Sequence, residues 1–144
     1  MNIVNSLLGT RIGFDDLPLR ATAGVIYMAH GAQKLFGWFG GHGLNGTGQW
    51  LESIGLSPGI AMAALAGSAE FFGGLLLLLG LLTRPAAIVT AFTMVVAIFS
   101  THIHNGLFLT NNGYEFGLAL LGISAALAIR GAGSLSLDQL IHKS

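Results

Sequence analysis

Cysteine is absent from the 144 residues. That excludes disulfides, thiol redox chemistry and cysteine-ligated iron–sulfur or zinc sites within this chain. Charge is scarce as well: Asp, Glu, Lys and Arg together make up 8% of the chain, against about 25% in soluble domains. A chain so poor in charge cannot dress a water-facing surface, so lipid is expected to cover most of it. Neither sign of charge is in excess, with six basic and six acidic residues, so no basic patch points to nucleic acid. A cleavable leader is also missing from the expected pattern: Met1–Phe14 has no basic start and no small-residue cleavage site before its apolar run.

What fills the space is apolar. Hydrophobic residues make up 53% of the chain, and the mean hydropathy is +0.73. Four stretches read as spans, at about 17–36, 60–82, 85–104 and 114–130. A bilayer core takes roughly 20 apolar residues to cross as a helix. Pro18 and Pro85 sit where a proline is tolerated at a helix start. The expectation is an all-α integral membrane four-helix bundle, antiparallel, forming one domain over residues 1–144. Between the spans lie a Gly-rich connection (37–58) with a short helix near Asn45–Ile54, a tight turn at Thr83–Pro85, and a polar turn at Asn105–Gly113. Met1–Asp16 reads as partly amphipathic. In the tail, Ser136 or Asp138 is placed to start a brief helix.

Orientation follows from the basic residues. With four spans, Arg11, Arg20, Arg84, Arg130 and Lys143 fall on the side of the termini, and only Lys34 falls opposite. Both termini are therefore expected in the cytoplasm.

Polar residues inside the spans carry the functional signal. Glu70 is the one ionisable group in 60–82. An ionisable residue at that depth costs about 2.5 kcal/mol or more on insertion scales. Ala63, Gly67 and Gly74 share its face and permit close helix approach. In the first span Arg20, Tyr27, His30 and Lys34 form one helical stripe, which cannot face lipid. Glu115, Ala119, Gly122 and Ala126 make a similar small-and-polar face in the fourth span. His102 and His104 close the third span. Two readings stay open. Glu70 bonds to Tyr27 or His30 and only fixes helix register, or it is the proton-accepting floor of an outward-facing polar pocket. His102 and His104 lack an acidic or cysteine companion at ligand spacing, so no metal site is expected.

These residues fall in a known order. Arg20 opens the first span, and Gly31-Ala-Gln-Lys34-Leu-Phe-Gly37 closes it. Glu70-Phe-Phe-Gly-Gly74 centres the second, and Leu79-Gly-Leu-Leu-Thr-Arg84 ends it. A histidine ends the third, Asn112-Gly-Tyr-Glu115 opens the fourth, and Gly131-Ala-Gly-Ser-Leu-Ser-Leu-Asp138 follows. In this order and spacing, from about Leu17 to Leu140, the sequence resembles the DoxX family. The resemblance implies a four-helix, multi-pass protein of the bacterial inner membrane. It also implies a link to quinol oxidase, thiosulfate–quinone or thiol-redox systems, of which the lack of cysteine disfavours a direct thiol mechanism.

Three functions remain in play. The first is a quinone- or quinol-linked redox subunit, with Glu70 and His30 as catalytic candidates. Arg20, Tyr27, Lys34, His102, His104 and Glu115 are its candidate ligand-binding residues, and quinone is the cofactor. No electron carrier is encoded, so a membrane or periplasmic redox partner, a homo-oligomer or a directly reacting substrate completes the reaction. The second is a non-catalytic adaptor or assembly subunit, and the third a small-molecule carrier.

Overall fold

A computed structural model describes residues 3–9 and 16–143. Arg11 and Phe14, which bear on the orientation count and the amphipathic start, lie outside the described residues, as does the Lys143 side chain. Among the described residues, every regular element is helical. Four long helices, α2 (Asp16–Phe36), α4 (Gly59–Leu79), α5 (Thr83–Ala97) and α6 (Glu115–Arg130), pack side by side. Three shorter helices accompany them: α1 (Ile3–Leu8), α3 (Gly43–Ser53) and α7 (Leu137–Lys143). The fold is therefore all-α but richer than four helices. Two helices, Gly59–Leu79 and Thr83–Asn105 with its distorted last turns, are each long and apolar enough to cross a membrane.

Local chemistry sets the helix ends. Gly37 (φ 71°) stops α2, and Gly80 (φ 65°) stops α4. At Gly80 the Gly80 N–H donates to Leu77 O and the Leu81 N–H to Leu76 O, the paired bonds of a left-handed C-terminal cap. The turn thus occupies Gly80–Leu82 rather than Thr83–Pro85. Helix α5 can begin at Thr83 because the Asp138 carboxylate accepts from Leu82 N (2.7 Å) and Thr83 N (2.9 Å). These are orphan donors of a helix N-terminus, and the carboxylate comes from α7. Ser136 starts that helix: its Oγ accepts from Gln139 N. On α4 the same service comes from α3, where Glu52 Oε2 accepts from Gly59 N at 2.9 Å.

Small residues bring α2 and α4 together. A Cβ on Gly31 would stand 2.7 Å from Gly67 O, and one on Gly74 would stand 2.7 Å from Gly24 O. Both are closer than side-chain carbons come to backbone, so only glycine lets the two backbones meet. Ala63, Gly67, Glu70 and Gly74 are all buried. The matching face expected on α6 is turned outward. Leu120, Ser124 and Leu127 are its buried residues, because Ser124 Oγ meets Tyr27 Oη (2.8 Å) and Thr90 Oγ1 (3.2 Å) in the seam with α2 and α5.

A polar knot closes the end that carries the termini. Arg20 is fully buried and donates to the carbonyls of Leu77, Leu78, Ala132, Ser134 and Leu135. Asp16 pairs with Arg130, and Arg84 Nε donates to Gly9 O. Outside, large apolar side chains stand exposed around the helices, among them Val25, Leu65, Phe72, Ile88, Phe92, Phe99 and Ile129. In water such a surface would aggregate; in a bilayer it is the wall that lipid covers.

The α2–α4 contact makes a clear test. Gly31→Leu is expected to destabilise the detergent-solubilised protein by about 3 kcal/mol or more through overpacking. Gly122→Leu, where a Cβ meets nothing within 4 Å, should stay within about 0.5 kcal/mol. Denaturant titration in mixed micelles checks both, and equal losses would refute the close-contact account.

Candidate functional site

Close approach of α2 and α4 aligns Lys34 with Glu70. Lys34 Nζ lies 2.6 Å from Glu70 Oε2, and the side chains retain 26% and 4% of their exposure. The Lys34 Cα sits a turn beyond His30 toward the loop end of α2. Its stem can still reach Glu70 because helical side chains lean toward the helix N-terminus. The partner of Glu70 is thus Lys34, and not Tyr27 or His30 as depth alone suggested. Tyr27 spends its hydroxyl on Ser124 Oγ, and His30 packs its ring against Phe116, centroids 5.9 Å apart.

The pair opens into a groove of about 1380 Å³. Its apolar flank is built from Leu65, Ala69, Ile88, Val89, Phe92 and Val96. All of these but Ala69 are exposed, so the groove is open along α4 and α5. From Ile88 to His102 it runs roughly 20 Å at about 1.5 Å per residue. At the loop end the lining turns polar: Gln33, Lys34, His42, Gln49, Thr93, Ser100, Thr101, His102 and Asn112. A π turn at Ile98–His102 follows α5; such widened turns recur at functional sites. Ser100, Thr101 and His102 of this turn all line the groove. His102 Nδ1 is held 2.8 Å from Asn112 O.

The sequence-derived candidates divide. Glu70, Lys34 and His102 meet at one groove. His30 and Tyr27 do not line it, and Arg20 lies at the far end with its guanidinium committed to five carbonyls. His104 is exposed beyond the π turn. Glu115 accepts from Leu109 N at 2.7 Å, bracing the 105–113 turn. Gln33, His42, Gln49 and Trp50 enter the lining without being site candidates in the sequence. Among the described residues, no group of three or more His, Asp or Glu side chains converges as a metal site would require.

Each described carboxylate has a partner, and Glu70 is the one that lines the groove. Asp16 pairs at the knot, Glu52 and Asp138 cap helices, and Glu115 braces a turn. An intramembrane carboxylate that lines an open groove is the group to which function is best attached.

Residues 16–103 match the DoxX family. The chain belongs to the DoxX family. Those residues contain α2 to α5, and therefore the Lys34–Glu70 pair and the π turn. Among its relatives, the "Putative oxidoreductase CatD" of Bacillus subtilis is 35% identical over 127 residues, 88% of this chain and 87% of that protein. The "Inner membrane protein YqjF" of Escherichia coli is 37% identical over 113 residues, 74% of this chain and 81% of that protein. No solved structure matches the chain. With an inner-membrane relative and two membrane-length helices, this DoxX protein is a multi-pass protein of the inner membrane.

Removing one member of the ion pair strands the other. Lys34→Met is expected to destabilise the protein by about 3 kcal/mol. Adding Glu70→Leu should recover most of that loss, since an apolar pair of similar volume replaces the ions. Thermal unfolding of wild type, both single variants and the double variant measures the coupling; a purely additive result would dissolve the pair.

Proposed function

We propose that this DoxX protein is a quinone- or quinol-binding subunit of an inner-membrane redox system. The observation that carries it is the groove: apolar and open along the membrane-facing flank, and closed at one end by a cation and a carboxylate 2.6 Å apart. An isoprenoid tail suits the Leu65, Ile88, Phe92 and Val96 wall. A polar ring suits the Lys34 end. Quinones supply two-electron, two-proton redox chemistry when bound.

The chain's own residues would divide the work. Lys34 donates a charge-assisted hydrogen bond to a ring oxygen. Glu70 accepts the proton released by a ring hydroxyl. The exposed apolar flank keeps a tail in contact with lipid while the polar end excludes it. His102, held by Asn112 O, offers a further polar contact at the rim. With a quinol, the two electrons would leave to a redox partner as Glu70 takes a proton; with a quinone, they would come from a partner or from a substrate reacting at the loop end, and Glu70 would return the proton. The name of the Bacillus relative, "Putative oxidoreductase CatD", agrees with this reading.

The proposal includes the topology. The chain acts as one transmembrane unit of four antiparallel helices, α2, α4, α5 and α6, with both termini in the cytoplasm and the polar end of the groove toward the periplasm. The basic residues Arg20, Arg84 and Arg130 all sit at the end with the termini, opposite Lys34.

Quinone binding is tested with Trp50, which lines the groove, as the fluorophore in a Trp38→Phe background. A short-chain benzoquinone should quench it saturably in nanodiscs. Lys34→Met and Glu70→Gln should each weaken binding roughly tenfold to a hundredfold, the worth of a hydrogen bond to a charged group. No saturable quenching would favour the adaptor role instead.

Topology has its own test, made simple by the absence of cysteine. A membrane-impermeant maleimide should label Asn111→Cys in intact spheroplasts and Leu140→Cys only after lysis. The reverse pattern would invert the orientation.

A further inference from the structure

The polar end of the groove holds hydrogen-bond acceptors whose roles the structure fixes. His102 closes the π turn at Ile98–His102 and lines the groove. Its Nδ1 lies 2.8 Å from the backbone carbonyl of Asn112. A carbonyl oxygen only accepts, so Nδ1 carries the proton. A neutral imidazole has one N–H, and the bond made by one nitrogen sets the state of the other. Nε2 is therefore a bare acceptor. Glu70 gives a second. Its Oε2 takes the Lys34 bond, and among the described residues no other group donates to this carboxylate, which leaves Oε1 to the groove that Glu70 lines. On α5 between them, Thr93 donates its hydroxyl hydrogen to Val89 O at 3.0 Å, so only its lone pairs remain for the groove.

The Asn112 carbonyl is itself held in place. Asn112 is in the left-handed region (φ 57°), which asparagine adopts more readily than most residues. Its N–H donates to Leu109 O at 2.9 Å. Asn105 Nδ2 donates to Asn112 O at 3.2 Å and to Thr101 O at 3.3 Å, tying the 105–113 turn to the π turn. The spacing of the two acceptors follows from the α4–α5 contact. Gly73 packs against Thr90, where a Cβ would meet Thr90 Cγ2 at 2.8 Å, and this contact marks one level on both helices. Glu70 stands three residues from that level toward the loop end, and His102 twelve. At about 1.5 Å per residue their Cα atoms are roughly 13 Å apart along the bundle. Each side chain leans toward the N-terminus of its own helix: Glu70 toward the loop end, His102 away from it. The gap between the acceptors narrows toward the span of one ring with two para hydroxyls.

We infer that the groove selects the reduced ring: its ligand is a hydroquinol, with one hydroxyl donating to Glu70 Oε1 and the other to His102 Nε2. The inference rests on the reading of the groove as a quinone- or quinol-binding site and narrows it to one redox form. A hydroxyl both donates and accepts, whereas a quinone carbonyl only accepts. A quinol therefore satisfies both acceptors and still takes a hydrogen bond from Lys34. A quinone sets its oxygens against the lone pairs of the carboxylate and the imidazole and leaves both unpaired. A site built to bond a hydroxyl discriminates against the analogue that lacks it for this reason. His102 is then a specificity-determining contact, and Asn112 and Asn105 are the residues that hold its proton on the far side of the ring.

Two measurements in nanodiscs test this, at mildly alkaline pH, where free imidazole is neutral. Nitrogen NMR of isotope-labelled histidine reads the proton positions, with the His102 signals assigned by their loss in His102→Phe. The ligand-free protein should show a protonated Nδ1 and a bare Nε2. Tetramethyl-hydroquinone, kept reduced under argon, should move the Nε2 signal toward the protonated range. Tetramethyl-benzoquinone, which has no ring position open to amine addition, should leave it in place. Equilibrium dialysis against empty nanodiscs should find the hydroquinone bound about tenfold or more tighter than the quinone, the worth of one hydrogen bond. His102→Phe should lower that ratio about tenfold while quinone affinity changes less than about threefold, which also shows that the variant keeps the site folded. A ligand-free ring protonated at Nε2, an Nε2 signal indifferent to hydroquinone, equal affinity for the two forms, or a ratio unmoved by His102→Phe would overturn the inference. Equal, saturable binding would leave the broader reading of the groove standing; if neither form binds, that reading falls with this one.

Discussion

Everything in this molecule depends on how closely α2 and α4 approach. Gly24 and Gly31 on one helix meet Gly74 and Gly67 on the other, backbone against backbone. In lipid there is no hydrophobic force to press helices together, so close packing and polar contacts must do it. The glycines supply the first and the Lys34–Glu70 pair the second. The two are coupled in sequence as well as in space: Lys34 follows Gly31 by three residues, and Glu70 stands between Gly67 and Gly74. A wider separation would leave the ammonium and the carboxylate apart in a low-dielectric interior, where each alone is costly.

The short helices earn their place through caps. None of the long helices with a described N-terminal cap position provides its own side-chain cap. Instead Glu52 of α3 serves α4, and Asp138 of α7 serves α5. Each borrowed carboxylate satisfies orphan N–H groups and meets the positive end of a helix dipole. It also fixes a surface helix on the bundle. For α3 this matters to the site, because α3 and the loop before it contribute His42, Gln49 and Trp50 to the groove.

Much of this was legible in the residues. The apolar lengths marked the long helices to within a few residues. The face Ala63–Gly67–Glu70–Gly74 announced a tight packing seam, and it is one. The fourth-span face misled, since small residues there look the same whether they pack or point outward. Only the seam partner Ser124 decides, and its bonds to Tyr27 and Thr90 are tertiary. Arg20 shows a related limit. A charged residue at a helix end reads as a ligand contact or an orientation signal, and its five carbonyl partners, from chain segments up to 115 residues away, are not legible in the sequence. The Lys34–Glu70 pair is not legible from residue spacing, because a lysine side chain carries its charge several ångströms along the helix. His42 was invisible in a Gly-rich loop, where no periodicity ranks one residue above another.

These corrections change what the site is. A cluster of His30, Tyr27 and Glu70 would have been an enclosed core with one titratable face. The structure instead separates them: Tyr27 locks the α2–α6 seam, His30 leans on Phe116, and Glu70 looks into a groove through Lys34. A buried carboxylate that served only to hold helices together would be best satisfied away from any opening, as Asp16 is at the knot with Arg130. Glu70 is satisfied by a cation that itself lines the groove. The α2–α4 seam, by contrast, is closed by glycines, backbone against backbone. A buried carboxylate that faces a groove of about 1380 Å³ departs from that close packing, and such departures are where function is expected to reside.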